Sequence, residues 1–174
     1  MDEIMLVNSA KNGDRDAFSK LYATYKDRLY RYAFYRTGNA DAAEDAVSSC
    51  VLSAFEQIGK LKKAEAFSAW IFKILYYTCN SELKAIAERR RIADINEAEH
   101  IPYEDNITEK TELREALSIL KEEERSIVLL SAVSGLSSKE ISKICDLTPG
   151  AVRSKLSRSL KKMREFLGDA YEEK

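Results

Sequence analysis

Only one histidine, His100, and two prolines, Pro102 and Pro149, occur in the 174 residues, and each scarcity closes off a class of protein. A single histidine in a polar stretch, with no Gly-rich phosphate loop and no nucleophile spaced for a base, leaves little for catalysis to use. An enzyme is therefore the least expected class. The three cysteines, Cys50, Cys79 and Cys145, lie far apart, each inside an apolar-periodic stretch. Such spacing has neither the even count of a disulfide framework nor the clustered ligands of a zinc site, so buried thiols, no metal and no cofactor are expected. No uncharged apolar run nears the roughly 18 residues of a membrane span, and the opening MDEIMLVNSAKNGDRD lacks the basic lead and apolar core of a signal peptide. The expectation is a cytoplasmic protein with no direct membrane insertion.

The formal net charge of -1 conceals an uneven distribution: residues 1–92 sum to +3, 93–124 to -8 and 125–174 to +4. Two mildly basic blocks are joined by an acidic one. The near absence of proline leaves helical periodicity uninterrupted over most of the chain, so an all-α fold is expected. Phe18, Leu21, Tyr22, Tyr25, Leu29, Tyr32 and Ala33 form one apolar stripe between Gly13-Asp14 and Gly38. Asp41 and Glu44 read as a capping-box-like start for a second helix, with Val47, Val51, Ala54, Phe55 and Ile58 facing inward. A third stripe, Phe67, Trp70, Ile71, Ile74, Leu75, Cys79, Leu83 and Ile86, closes on Arg89, Arg90 and Arg91. Residues 93–108 break the period, hold Pro102 and carry only acidic charge, which predicts a flexible acidic linker between domains at 1–92 and 109–174. That linker is either a solvated spacer or a shield for the basic blocks.

The C-terminal domain carries the most specific pattern. Ser137 three before Glu140 makes a capping box for a short helix bearing Ile141 and Ile144, and after three turn residues Thr148 and Pro149 supply an N-cap and first helical residue. This is the spacing of a helix-turn-helix. Val152, Leu156, Leu160 and Met163 are expected to pack, while residues 147–164 carry six basic side chains and no acidic one. In such a motif the second helix enters the major groove, which directs Gly150, Arg153, Ser154 and Arg158 toward base edges and Lys155, Lys161 and Lys162 toward phosphates, with Thr148 at the helix start. A basic helix that is merely solvated is the alternative.

The segment SGLSSKEISKICDLTPGAVRSKLSRSLKKMREFL (134–167) resembles the helix-turn-helix that reads the -35 promoter element in extracytoplasmic-function (ECF) sigma factors. Likewise, AFSKLYATYKDRLYRYA (17–33), DAAEDAVSSCVLSAF (41–55) and FSAWIFKILYYTCNSELKAIAERRR (67–91) are similar to that family's first domain, which binds polymerase and melts the -10 element. The resemblance implies that Asp41, Glu44, Asp45 and Ser48 dock on the clamp coiled coil of core RNA polymerase. It also implies that the KLKKAEAF loop (60–67) and the helix after it meet the displaced promoter strand. Lys60, Lys62, Lys63, Lys73, Tyr76, Tyr77, Arg89, Arg90 and Arg91 supply the cations and aromatic platforms that single-strand binding uses. Promoter DNA, core polymerase and an anti-sigma factor are the implied partners. A stand-alone helix-turn-helix regulator and a helical adaptor that binds only protein remain the other readings of the residues.

Overall fold

The computed structural model describes residues 2–95 and 112–172, and every regular element among them is helical. In chain order these are α1 (Glu3–Lys11), α2 (Arg15–Thr37), α3 (Ala40–Gln57), two short 3-10 turns (Ile58–Lys60 and Ala64–Ala66), α4 (Phe67–Ile95), α5 (Glu112–Ser118), α6 (Glu122–Ala132), α7 (Ser138–Cys145) and α8 (Pro149–Glu172). Local chemistry sets the boundaries. The Asp14 carboxylate accepts from the Ala17 N–H to start α2, and Gly38, at φ 70°, ends it in the left-handed region that a Cβ disfavours. At α3 the cap is Asn39 rather than the expected Asp41: the Asn39 side chain accepts from the Ala42 N–H at 2.9 Å. Asn39 has the extended backbone that a cap requires, whereas Asp41 already lies in the first turn, where its charge suits the helix dipole.

The N-terminal helices close around large aromatic side chains. Tyr25, Tyr32, Phe67 and Phe72 are all buried, Tyr25 meeting Phe67 edge-on at 5.2 Å and Tyr32 meeting Phe72 at 6.1 Å. A fully buried Phe72 contributes roughly 1.5–3 kcal/mol of apolar transfer, although the third stripe omits it. Phe55, expected inside, is 45% exposed and instead leans edge-on against Phe18. Eight residues advance a helix by about 80° beyond two full turns, which carries Phe55 off the face defined by Val47.

Helix α4 does not stop at residue 92 but runs through Ala93, Asp94 and Ile95, and the rest of the expected linker lies outside the described residues. The C-terminal helices then pack on the N-terminal ones, α6 against α2 and α7 against α4. At the centre of that seam is Arg36, only 2% exposed. Its Nη1 donates to the Tyr32 hydroxyl at 2.8 Å and to Ser126 Oγ at 3.1 Å, and its Nη2 donates to Asn80 Oδ1 at 2.7 Å. Glu122 lies 3.5 Å from the same guanidinium. Burial opposes the charge on Arg36, but Tyr32, Cys79 and Glu122 together hold its pKa above the ordinary value.

Candidate nucleic-acid interface

Helices α7 and α8 form the expected bihelical corner. Ser137 Oγ accepts from the Glu140 N–H at 3.2 Å while Glu140 accepts from the Ser137 N–H at 2.8 Å, so both halves of the capping box are present. Asp146 ends α7 at φ 55°, a left-handed conformation that Asp tolerates better than most residues. Thr148 then caps α8, its hydroxyl accepting from the Ala151 N–H at 3.1 Å. Three residues thus turn the chain without a glycine.

The face that α8 packs differs by one position from the expected one. Val152 and Met163 are buried and Leu156 is half-buried, but Leu160 is 37% exposed and Ser159 takes its place in the interior. From Val152, position 159 lies about 20° off two full turns and position 160 about 80°, so the geometry favours the serine despite its polarity. The Ser159 hydroxyl has no hydrogen-bond partner there among the described residues.

On the opposite side Thr148, Gly150, Arg153, Ser154, Arg158, Lys161 and Lys162 are exposed, and Lys155 is half-exposed. Their charges are not equally available. Lys155 pairs with Glu123 at 2.7 Å and Lys162 with Glu124 at 2.8 Å, both acids on α6, while Lys161 lies 3.9 Å from Glu165. Hydrogen bonds from Lys162 and from the Lys121 N–H hold the Glu124 carboxyl below its ordinary pKa. Arg153 and Arg158 have no carboxylate within ion-pair distance among the described residues. A Cβ added at Gly150 would meet only the Arg153 guanidinium, at 3.9 Å, so the surface beside Arg153 is open.

In the N-terminal half, Lys60, Lys62, Lys63, Lys73, Tyr77, Arg89, Arg90 and Arg91 are exposed. Arg91 is tied to Glu88 through two hydrogen bonds of 3.0 and 2.6 Å. Tyr76 behaves differently from its neighbour: it is half-buried, and its ring lies 5.4 Å from the Arg36 guanidinium carbon. Trp70 is half-buried against Phe67 at 5.9 Å, in line with a packing role. Asp41, Glu44, Asp45 and Ser48 share one exposed face of α3, which continues through Leu52 and Phe55. Beside it, Phe18, Tyr22 and Val51 line a shallow groove.

Arg36 and Ser126, both buried, lie outside the residues that the sequence pattern marks as functional. Arg36 continues the register of Leu29, Tyr32 and Ala33, and a cation on an apolar stripe signals a buried group with partners elsewhere. Cys50 and Cys79 are buried and Cys145 is partly so; burial pushes the first two thiols up to about 12 and the third to about 11. No helix among the described residues is long and apolar enough to cross a membrane.

Comparison with known proteins agrees with this architecture. The sigma-70 region 2 family model matches residues 21–90 and the sigma-70 region 4 model residues 110–163. The ECF RNA polymerase sigma factor BldN of Streptomyces coelicolor is 31% identical over 173 residues, covering 94% of this chain and 65% of that protein. The RNA polymerase sigma factor CarQ of Myxococcus xanthus is 28% identical (91% of this chain, 94% of CarQ), and the ECF sigma factor SigW of Bacillus subtilis 23% (94% and 95%). The chain thus spans just under two thirds of BldN and nearly all of the other two. Among solved structures, CnrH in complex with the cytosolic domain of CnrY has a TM-score of 0.72 at 20% identity, covering 96% of this chain and 97% of that one. The sigma factor RpoE with the anti-sigma factor NepR, from Bartonella quintana, has a TM-score of 0.70 at 22% identity, covering 87% and 96%. With two models of one family falling in order along more than half of its length, this chain belongs to the ECF branch of the sigma-70 family of RNA polymerase sigma factors.

Proposed function

We propose that this chain directs core RNA polymerase to promoters and opens them, reading the -35 element with residues 109–174 and the -10 element with residues 1–92. The carrying observation is the bihelical corner whose second helix packs Val152 and Met163 and leaves Arg153, Ser154 and Arg158 outward. In the major groove these side chains and Gly150 meet base edges, while Thr148, Lys155, Lys161 and Lys162 lie along the phosphates. Lys60, Lys62 and Lys63, with Lys73, Tyr76, Tyr77 and Arg89 to Arg91, bind the displaced strand by charge and stacking. Asp41, Glu44, Asp45 and Ser48 dock on the polymerase clamp.

Each half alone neutralises few phosphates and binds weakly; tethering both on polymerase multiplies the affinities through effective concentration. The chain performs no catalysis and works in the cytoplasm, and an anti-sigma factor is its expected regulator, by analogy with the complex of RpoE and the anti-sigma factor NepR. The test is to add the purified chain to core polymerase on genomic DNA and map the transcript 5′ ends. Starts at a shared pair of spaced elements are expected. Tight, specific duplex binding without any polymerase-dependent transcript would instead favour a stand-alone regulator.

A further inference from the structure

The geometry points to an intramolecular lock in which Arg36 clamps the C-terminal half onto the N-terminal half and withdraws Tyr76 from nucleic acid. Two of the partners of the Arg36 guanidinium, Tyr32 and Asn80, come from its own half, and two, Ser126 and Glu122, come from α6. The Tyr32 hydroxyl also meets Ser126 Oγ directly at 3.1 Å. Nearby, the Arg114 guanidinium donates to the Gly38 carbonyl at 2.8 Å, so the end of α2 is held by the other half as well. A guanidinium buried without such partners would be strongly unfavourable, so the burial of Arg36 depends on α6 being docked.

The lock and the strand-binding surface share side chains. The half-buried Tyr76 ring lies 5.4 Å from the Arg36 guanidinium carbon, whereas Tyr77, one residue on, is 53% exposed. Arg36 occupies one side of the Tyr76 ring and α7 packs on α4, so undocking the C-terminal half would free that ring for a base. The free chain therefore holds only half of its tyrosine platform ready, and the open fraction scales its apparent affinity for a single strand. Closure is a property of the chain itself; only its consequence for promoters rests on the function proposed above.

Small-angle scattering of the full chain tests closure directly. A single compact body of this length has a radius of gyration of about 16 Å. We expect that value for the native chain, and a value several Å larger for Ser126→Lys, which sets an ammonium against Arg36, with the helical circular dichroism unchanged. Glu122→Ala removes an exposed carboxylate and carries the test if Ser126→Lys fails to fold; a smaller expansion is expected. In fluorescence anisotropy with a short fluorescein-labelled DNA single strand, opening should tighten binding by roughly tenfold for a state that is about nine-tenths closed. A native chain as extended as the variants, variants as compact as the native chain, or expansion without tighter binding would overturn the lock. Expansion and tighter binding in a chain that starts no transcripts would leave the lock standing and remove the sigma reading.

Discussion

Replacing Glu123 and Glu124 together by glutamine should strengthen duplex binding, because these acids hold two of the cations that α8 offers to DNA in the function proposed above. Lys155 and Lys162 are engaged at 2.7 and 2.8 Å, so in the native chain DNA must first take them from α6. Ion pairs this exposed are worth about 0.2–1 kcal/mol each, so releasing both lowers the cost of binding by about 0.4–2 kcal/mol, or roughly 2- to 30-fold in Kd. The salt dependence distinguishes this from a general change in charge. If Lys161 alone of the three phosphate-facing lysines neutralises a phosphate in the native chain, the slope of log K against log salt is about -0.9; with Lys155 and Lys162 freed it steepens to about -2.7. Glutamine at position 124 keeps an oxygen for the Lys121 N–H, which preserves the capping contact of α6. Fluorescence anisotropy of the full chain on a labelled duplex, between about 50 and 200 mM salt, reads both quantities. A native slope that is already steep, and unchanged in the double variant, would refute the competition between α6 and DNA.

Three further outcomes are expected. Val152→Ala, at a fully buried position of α8, should cost about 2 kcal/mol in urea unfolding; a loss under about 0.5 kcal/mol would mean that the corner packs elsewhere. Glu124 has a lowered folded pKa, so its stabilisation is complete above the unfolded carboxylate value of about 4.3 and is lost as pH falls through the folded value. Glu124→Gln should therefore destabilise at pH 7 and lose that effect in acid, and a difference independent of pH would exclude the ion pair as its source. With Cys50 and Cys79 raised to about 12 and Cys145 to about 11, almost no thiolate exists at pH 8. Iodoacetamide should label Cys145 slowly and the other two only in denaturant; rapid labelling of all three in the native chain would contradict their burial.

What was legible in the residues was local. Ser137, Thr148 and Pro149 announce the bihelical corner because caps and turns are determined by a few neighbours along the chain, and the α2 stripe gives its buried face for the same reason. The misses at Phe55 and Leu160 share one cause: both sit eight residues from the residue that defines the packed face, and an α-helix has rotated out of register there. Asp41 looks like the cap in sequence because nothing along the chain shows that Asn39 has the extended backbone. The seam was invisible because Arg36 and Ser126 are far apart in sequence, and nothing local says that a cation on α2 will find a hydroxyl on α6. For Lys155 and Lys162 the pairing acids were present in the EEE run at 122–124, but only tertiary packing brings them across.

The polar centre of the seam also bears on solubility. When two bodies held by an oily contact separate, each presents a sticky face that invites aggregation; here the groups exposed at the centre would be a guanidinium, a phenol, an amide and a hydroxyl, all of which water accepts readily. If the two halves part as proposed above, a seam centred on such residues lets them rejoin without leaving an oily face behind, where leucine at the same place would not.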